Sequence, residues 1–224
     1  MGVAADLTLI SIDPATGKSL LGSTESEPVT GGAALVDLVL AERCDVAGEG
    51  RKARVRLVGD APLGDAALDR ALSRIKPDRD HKPASLVPRI GKGTRALVFE
   101  QLVAEGALAP RRERVLGLVP VVRYDVVDSA RRDALVARVM GVLLGDAEPD
   151  DTTGPLIGLL WAGNAIKRIA PRPERSAAVK RAKVIAKGEW AGTAGKAAVA
   201  ATHAAVTAAV TAAVIASSVG AGGA

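Results

Sequence analysis

Residues 59–72, with the sequence GDAPLGDAALDRAL, encode a turn that runs directly into a helix. The glycines and the proline in the first half are typical of a turn and interrupt any strand or helix before them. Asp65, or Gly64 before it, is placed to cap the helix that follows. The next apolar residues share one helical stripe, which predicts that this helix packs on a core. They are Ala67, Leu68, Ala71, Leu72 and Ile75.

That core has to be aliphatic, because only 2% of the 224 residues are aromatic. Leu, Val and Ala at helical spacing therefore supply most of the buried surface. A chain of this length can bury a substantial core as a single unit. We expect residues 1–224 to form a mainly α fold, a single compact helical domain with small β-hairpins.

The spacing of apolar residues and turn residues places the other elements. A polar loop is expected over 22–31 and a connector over 76–91, with a short helix possible near Leu86. Hairpins are predicted from 7–12 with 19–21, from 44–47 with 53–57, and within 111–123. Helices are predicted over 33–42, 94–105 (ended by Gly106), 129–144 (capped by Ser129), 155–169, 175–187 and 190–219, followed by a frayed tail at 220–224.

The alanine-rich segment 197–219 carries no formal charge and is long enough to cross a bilayer. Ala and Thr dominate it, and both are much less lipophilic than Leu or Ile. Its valines lie near one helical face, as a helix packed on a core requires. They are Val199, Val206, Val210 and Val214. We therefore interpret the segment as a packed helix.

The net charge of +5 is unevenly placed along the chain. Residues 167–196 hold nine Lys or Arg and two acids, Glu174 and Glu189, so this segment is +7 and the remainder is −2. A basic chain favours anionic partners, whether lipid surfaces, nucleic acid or acidic proteins. A solvated helix face is the simplest interpretation of such a run.

The sequence offers no catalytic or metal-binding motif. The two histidines, His81 and His203, are far apart, and no Gly-x-Ser-x-Gly elbow occurs. Residues 91–94 resemble a phosphate loop but lack the first glycine of that motif. Asp65 and Asp69 could together hold a metal, although a helix cap and a first-turn acid are the commoner roles of such a pair. We expect no enzyme, no cofactor and no metal.

Cys44 is the only cysteine, so an internal disulfide is excluded and a reducing compartment fits. Its place after an apolar run predicts a buried thiol. Asp6 and Asp13 lie near the start of the chain without the basic stretch of a signal peptide. These features favour a cytoplasmic location.

Lys92 and Arg95 stand at the entrance of the helix predicted over 94–105. The first N–H groups of a helix and the positive end of its dipole attract anions. Arg can make bidentate contacts to a phosphate, and Lys supplies a point charge. The pair is our candidate site for a phosphorylated lipid headgroup. Two solvated side chains at a helix entrance are the alternative.

The hairpin predicted within 111–123 is a candidate membrane-contacting element. Three arginines precede a run of eight residues without a charged side chain. Apolar residues of the tip could enter the boundary between headgroups and acyl chains while the arginines meet anionic lipid. A hairpin packed on the core is the alternative. The side chains in this hypothesis are Arg111, Arg112, Arg114, Val115, Leu116 and Leu118.

Several strings together resemble the Golgi phosphoprotein 3 family, whose members are peripheral membrane proteins that bind phosphatidylinositol 4-phosphate. GDAPLGDAALDRAL at 59–72 is the most specific of them. ALVDLVLAERCDV at 34–46 is similar to the family's first long helix and the strand after it. RALVFEQLVAEGAL at 95–108 is similar to its Arg-rich helix, and residues 154–169 resemble a later Leu-rich helix.

The resemblance implies a mostly helical fold with small hairpins and a lipid pocket beside a hydrophobic hairpin that inserts into the membrane. Two basic residues of the pocket lie three positions apart at a helix start, and they fall on Lys92 and Arg95. The hairpin falls on 111–122.

The other half of the family's pocket is a Trp and an Arg from an early loop. The resemblance places them near 20–22 and near Gly31. No Lys, Arg or Trp occurs between residues 19 and 42 of this chain, and Glu25 and Glu27 stand in the loop instead. Carboxylates there would repel a phosphate.

We therefore expect a cytoplasmic, peripherally associated membrane protein that binds phosphatidylinositol 4-phosphate or another anionic phospholipid. A protein-interaction adaptor without lipid specificity is the first alternative, because half of the pocket is missing. Nucleic-acid binding through 167–196 is the second. Few aromatic residues for base stacking and no recognisable binding module stand against it.

Overall fold

The computed structural model describes residues 2–48, 52–115, 118–188 and 194–220. It is 59% helical, and two antiparallel sheets of two strands each occur among these residues. The mainly α fold with small hairpins is therefore confirmed. The helices are α1 (Val3–Ile10), α2 (Ser23–Leu40), α3 (Ala66–Leu72), α4 (Pro83–Ala104), α5 (Ser129–Leu144), α6 (Thr153–Ala162), α7 (Ile166–Ile169), α8 (Arg175–Ala186) and α9 (Ala194–Gly220). The hairpins are β1 (Cys44–Ala47) with β2 (Arg54–Leu57) and β3 (Leu108–Val115) with β4 (Val119–Val126).

Helix α2 lies at the centre of the fold, where α1, α3, α4, α6 and α9 pack around it. Its residues over 29–38 are all buried, so the helix has no solvent face along this stretch. Gly32 faces α6 and α9, and a Cβ there would lie 2.5 Å from Cγ2 of Val210 and 2.9 Å from Cδ2 of Leu159. Small residues therefore let several helices approach α2 at once.

The closest approach in the core joins α2 to α4 at Gly31 and Gly91. A Cβ on Gly31 would lie 2.7 Å from the Gly91 nitrogen and nearer still to the Val87 carbonyl oxygen. A Cβ on Gly91 would likewise meet the carbonyl oxygen of Glu27. Backbone lies against backbone here, and backbone atoms cannot yield as a flexible side chain can.

Helix α4 is kinked directly after this crossing. Lys92 has φ −61° and ψ 107°, and Gly93 has φ +83°, a conformation that favours glycine. The kink divides α4 into a first part up to Gly91 and a second part that begins at Thr94. The connector expected over 76–91 holds for its first half, and the short helix allowed near Leu86 is present, because residues 83–91 are helical and Leu86 is buried.

Two predictions near the start of the chain are wrong. Residues 7–12 do not form a strand, since α1 covers Val3–Ile10 and only an isolated bridge joins Ile12 to Ser19. Every residue of α1 except Asp6 is buried, and a helix buried on nearly all sides carries no helical periodicity to detect. The polar loop at 22–31 is also wrong, because α2 begins at Ser23 and Thr30 donates its hydroxyl to the Ser26 carbonyl at 2.8 Å.

The segment 59–72 has the structural role expected of it. Oδ1 of Asp65 accepts the backbone N–H groups of Ala67 and Leu68, both at 2.9 Å, and so caps α3. Asp69 accepts the N–H of Leu63 at 2.6 Å and ties the helix back to the turn. Both carboxylates thus hold backbone. Across the part of the chain that the structure describes, no group of three or more His, Cys, Asp or Glu is placed to hold a metal.

The later elements follow the predictions with shifted ends. Gly106 has φ +73° and ends α4, as expected. Asp128, one residue before Ser129, caps α5 by accepting the N–H of Arg131 at 2.9 Å. The helix predicted over 155–169 divides into α6 and α7 at Asn164, whose φ is +56°.

The C-terminal helix packs in the core, as its alanine content suggested. Val206 and Val210 of α9 are fully buried, and Val214 packs against the core from its edge. The side chain of Val199, residues 189–193 and residues 221–224 lie outside what the structure describes, and so does most of the predicted tail. No described helix combines the length and hydropathy that crossing a membrane requires.

Burial shifts the pKa of Cys44 and of Asp37. Burial raises the pKa of the Cys44 thiol to about 12, in line with a buried structural cysteine. Asp37 of α2 accepts the N–H groups of Val3 and Ala4 at 2.6 and 2.9 Å and so holds the start of α1. It is 6% exposed, and desolvation raises its pKa to about 6.

We expect replacement of Gly31 by Ala to destabilise the fold, because the new Cβ would press against backbone of α4. Overpacking of this kind costs about 1–3 kcal/mol, and the rigid neighbours favour the upper end. Gly141→Ala is the matched control, since a Cβ at that helical glycine would meet nothing nearer than 4.0 Å. It should stabilise the protein by up to about 1 kcal/mol. Urea unfolding measures the change in stability for both variants. Equal changes for the two substitutions would contradict the close backbone contact at Gly31.

We expect the free energy of unfolding to fall as the pH rises from about 4 to about 6, through Asp37. Its pKa is 3.8 in the unfolded chain and about 6 in the folded one, so the folded chain binds the extra proton in this window. The stability gained by protonation is present below the lower value and lost above the higher one, about 3 kcal/mol in all. Asp37→Asn should flatten this part of the stability–pH curve, whereas exposed Asp146→Asn should leave it as in wild type. Parallel curves for wild type and Asp37→Asn would exclude the effect.

Candidate functional site

Lys92 and Arg95 lie on either side of the start of the second part of α4. Lys92 is exposed at the kink itself, and Arg95 is half-buried one turn further on. The kink gives Lys92 a backbone conformation that a continuous helix would not allow. The structure therefore places the two residues where the sequence predicted, at a helix entrance that begins inside a longer helix.

Arg70 of α3 joins these two residues at the kink. Its Nη2 donates to the Lys92 carbonyl oxygen at 3.3 Å, and its guanidinium lies against Gly93, where a Cβ would come within 2.5 Å of Nη2. Sequence reasoning missed Arg70. It lies 22 residues before Lys92, and nothing in the local pattern separates it from a solvated arginine. The contact depends on how α3 packs on α4.

Arg95 is held by aromatic contacts. Its guanidinium carbon lies 4.7 Å from the centre of the Phe99 ring, a cation–π contact. The Phe99 ring in turn packs on Tyr124 of β4 with ring centres 4.2 Å apart. Desolvation lowers the pKa of Arg95, and the nearby Tyr124 and Glu27 act in the opposite direction. Arginine stays charged at physiological pH, so a half-buried positive charge sits at the base of the second hairpin.

The tip of that hairpin is apolar and exposed. Leu118 is 84% exposed, and Val119 and Val122 of β4 are 57% and 53% exposed. Val115 ends β3 opposite Val119, but its side chain is outside what the structure describes, as is Leu116. The described part of the tip therefore does not pack on the core, which was the alternative to membrane contact.

The two faces of the hairpin differ in charge. Residues directly opposite each other in an antiparallel pair share a face. One face carries Arg111, Glu113, Arg123 and Asp125, and these side chains neutralise one another. Arg111 pairs with Glu113 and lies 3.1 Å from Asp125, and Arg123 lies 3.3 Å from Glu113.

The other face carries Arg112 and Arg114, paired across the strands with Val122 and Pro120. Both arginines are exposed, and neither makes an ion pair with any residue that the structure describes. Tyr124 belongs to the same face by strand alternation. The free positive charge of the hairpin therefore lies on the face whose base contacts the Arg95 site.

The early-loop half of the pocket is replaced by packed helix. Gly31, near which the resemblance places an arginine, lies in the α2–α4 crossing and leaves no room for any side chain. The Glu25 carboxylate folds over Gly22, the residue that precedes α2, and occupies the start of that helix. A carboxylate in the first turn of a helix is stabilised by the helix dipole, and its negative charge weakens the attraction of that end for another anion.

The basic segment 167–196 forms the solvent face of α7 and α8 as far as residue 188. Ala178, Ala182 and Ile185 of α8 face the core. The cations on the other side of α8 are exposed, in agreement with a solvated face: Arg175, Lys180, Arg181 and Lys183.

Comparison with known proteins assigns the chain to a family. No curated protein sequence matches the chain. The family model for Golgi phosphoprotein 3 matches residues 3–202, most of the chain and every motif on which the resemblance rested. The chain therefore belongs to the Golgi phosphoprotein 3 family.

Proposed function

We propose that this protein is a non-enzymatic peripheral membrane protein that binds anionic phospholipid, phosphatidylinositol 4-phosphate among them, from the cytoplasmic side. The observation that carries the proposal is the junction of Arg95, Phe99 and Tyr124. It fixes a half-buried cation at the base of a hairpin whose tip is apolar and exposed. Family membership supports the same function.

The hairpin would supply the hydrophobic part of membrane binding. Full burial of a side chain the size of Val or Leu is favourable by about 1.5–3 kcal/mol. Leu118, Val119 and Val122 are exposed to water and gain this energy only on insertion or on association with a partner. Arg112 and Arg114 stand behind the tip, where each cation near an anionic surface adds about 1 kcal/mol.

The kink in α4 would supply the headgroup contacts. Lys92 is exposed, Arg95 is oriented by Phe99, and Arg70 lies against the same kink. Arg70 and Lys92 meet at the kink, and Arg95 lies one turn further along the same helix. Because Arg has a planar fork of donors and Lys a compact charge, the set suits a phosphate with several free oxygens.

The missing early-loop residues shape the specificity that we propose. With Gly31 in a helix crossing and Glu25 over the start of α2, no side chain of the described residues 22–31 would hold the headgroup in a fixed orientation. Binding would then depend on the negative charge of the surface more than on the position of one phosphate on the inositol ring. Vesicles of equal charge should bind about equally, whether the charge comes from phosphatidylinositol 4-phosphate or from phosphatidylserine.

We expect Lys92→Gln/Arg95→Gln to weaken vesicle binding by roughly 30-fold, since two cations contribute about 1 kcal/mol each. Flotation with phosphatidylcholine vesicles that contain phosphatidylinositol 4-phosphate, phosphatidylinositol or phosphatidylserine measures this. Arg181→Gln/Lys183→Gln removes the same two charges from the outer face of α8 and should bind almost as wild type. Equal loss of vesicle binding in both variants would mean that the overall charge of the protein attracts it to the vesicles, without a site at Lys92 and Arg95. No flotation of folded wild type on any anionic vesicle would overturn the proposal and favour the adaptor alternative.

We expect Val119→Ser to weaken the same binding by roughly tenfold, because about 1.5 kcal/mol of apolar burial is lost. Val58→Ser is the matched control, since Val58 is 63% exposed but lies outside the hairpin, after β2. The loss from Val119→Ser should persist at high salt, where the contribution of exposed charges is screened. If Val58→Ser weakens flotation equally, or if the Val119 effect disappears with salt, the hairpin does not insert.

A further inference from the structure

A basic groove separate from Lys92 and Arg95 lies between the turn at residues 13–18 and the helices α7 and α8. It is an open cavity of about 460 Å³, within the range of small-molecule sites. Lys18 lines it from the turn, Lys167 and Arg168 from α7, and Arg175 from the start of α8. The cations therefore come from two distant parts of the sequence and meet only in the folded protein.

The charge of the groove is not compensated. Asp13 is the one carboxylate among its lining residues, and its Oδ1 already accepts the N–H groups of Ala15 and Thr16 at 2.9 and 3.1 Å. Within the described ranges, none of the four cations forms an ion pair with an acidic side chain. Four positive charges and one negative charge give the groove a net charge of +3, which concentrates anions within it.

The groove is built before any ligand arrives. Nη1 of Arg168 donates to the Leu20 carbonyl oxygen at 2.9 Å, and Nε of Arg175 donates to the Ala170 carbonyl oxygen at 3.3 Å. Each guanidinium is thereby held in place by one N–H and keeps its remaining N–H groups for a ligand. Little side-chain freedom is then lost on binding, which favours affinity.

The turn on the other side of the groove is also fixed. The Asp13 N–H donates to the Lys18 carbonyl at 2.9 Å, and Gly17 accepts the N–H of Tyr124 at 3.1 Å. The Ser19 hydroxyl oxygen accepts the Leu21 N–H at 3.2 Å, so its hydrogen is left to donate. Lys18 and Ser19 thus face the two arginines from a closed, hydrogen-bonded turn.

We propose that this groove is a second anion site, one that holds a phosphate group. Two arginine forks and two lysine point charges suit a doubly charged group with three free oxygens better than a carboxylate with two. The phosphate can belong to a lipid headgroup or be free in solution, and the recognition chemistry is the same. The site stands independently of membrane binding through Lys92 and Arg95.

Titration of the full chain with inorganic phosphate at constant ionic strength, followed by amide NMR shifts, tests the site. Lys18→Gln/Lys167→Gln should weaken phosphate binding by roughly tenfold or more, as expected when two charge-assisted contacts are lost. Neither lysine makes a side-chain hydrogen bond within the described structure, so the fold should survive. Lys180→Gln/Lys183→Gln removes two exposed lysines of α8 outside the groove and should leave binding unchanged. Lys18→Arg/Lys167→Arg should retain it.

The shifts of wild type should centre on residues 16–20 and 167–175. Equal weakening by the groove variant and the control variant would overturn the site, as would shifts confined to 92–95 or no saturable binding by wild type. Flotation on vesicles with phosphatidylinositol 4-phosphate then separates the two sources of phosphate. If Lys18→Gln/Lys167→Gln loses flotation as well as phosphate binding, the site binds a lipid headgroup. If its flotation is unchanged, the site binds soluble phosphate. Failure of vesicle binding alone would overturn the proposed function and leave this site standing.

Discussion

The contact of α2 with α4 at Gly31 and Gly91 governs the geometry of the rest of the molecule. Because backbone meets backbone there, α2 can lie at the centre of the fold with five helices around it. The kink at Lys92 and Gly93 follows directly, and Phe99 in the second part of α4 packs on Tyr124 of the hairpin. The same contact excludes any side chain at position 31. The core packing that produces the helix start at Lys92 and Arg95 thus leaves no room for an arginine at position 31.

Aromatic residues are scarce in this chain, which makes the contact between Phe99 and Tyr124 informative. The chain has two Trp, one Tyr and one Phe, and its only Phe and only Tyr pack on each other beneath Arg95. Elsewhere in the described core, aliphatic side chains do most of the packing, and Trp161 packs against its edge. Planar rings here give Arg95 a flat, polarisable surface that Leu or Val would not offer. The contact also fixes the hairpin on α4. The same aromatic pair therefore determines the orientation of both Arg95 and the hairpin.

The sequence predicted most helices and two of three hairpins, because amphipathic spacing and turn residues are local signals. Asp65 as a cap and Gly106 as a helix end need no tertiary information. Helix α1 escaped prediction because burial on nearly all sides erases its periodicity. The start of α2 escaped because its polar residues resemble a loop, whereas Thr30 satisfies its hydroxyl within the helix. For the site, Lys92 and Arg95 were visible as neighbours at a helix start. Arg70 and the groove were not, since Arg168 and Leu20 are 148 residues apart in sequence and meet only through packing.

Tyr124 links the two proposed sites, so its position along the hairpin indicates how far they would lie from a membrane surface. Its ring packs on Phe99, which in turn holds Arg95, and its backbone N–H donates to the Gly17 carbonyl in the turn that bears Lys18. Val119 lies five residues before Tyr124 on β4, about 17 Å along an extended strand. A tip inserted about 5–10 Å into the interface, below a headgroup layer some 5–7 Å deep, reaches about 10–17 Å. In the membrane-bound state that we propose, an upright hairpin would therefore bring Arg95 only to the outer edge of the headgroups. A phosphate that projects from the surface, or a tilted hairpin with Arg112 and Arg114 turned toward the lipid, closes the remaining distance.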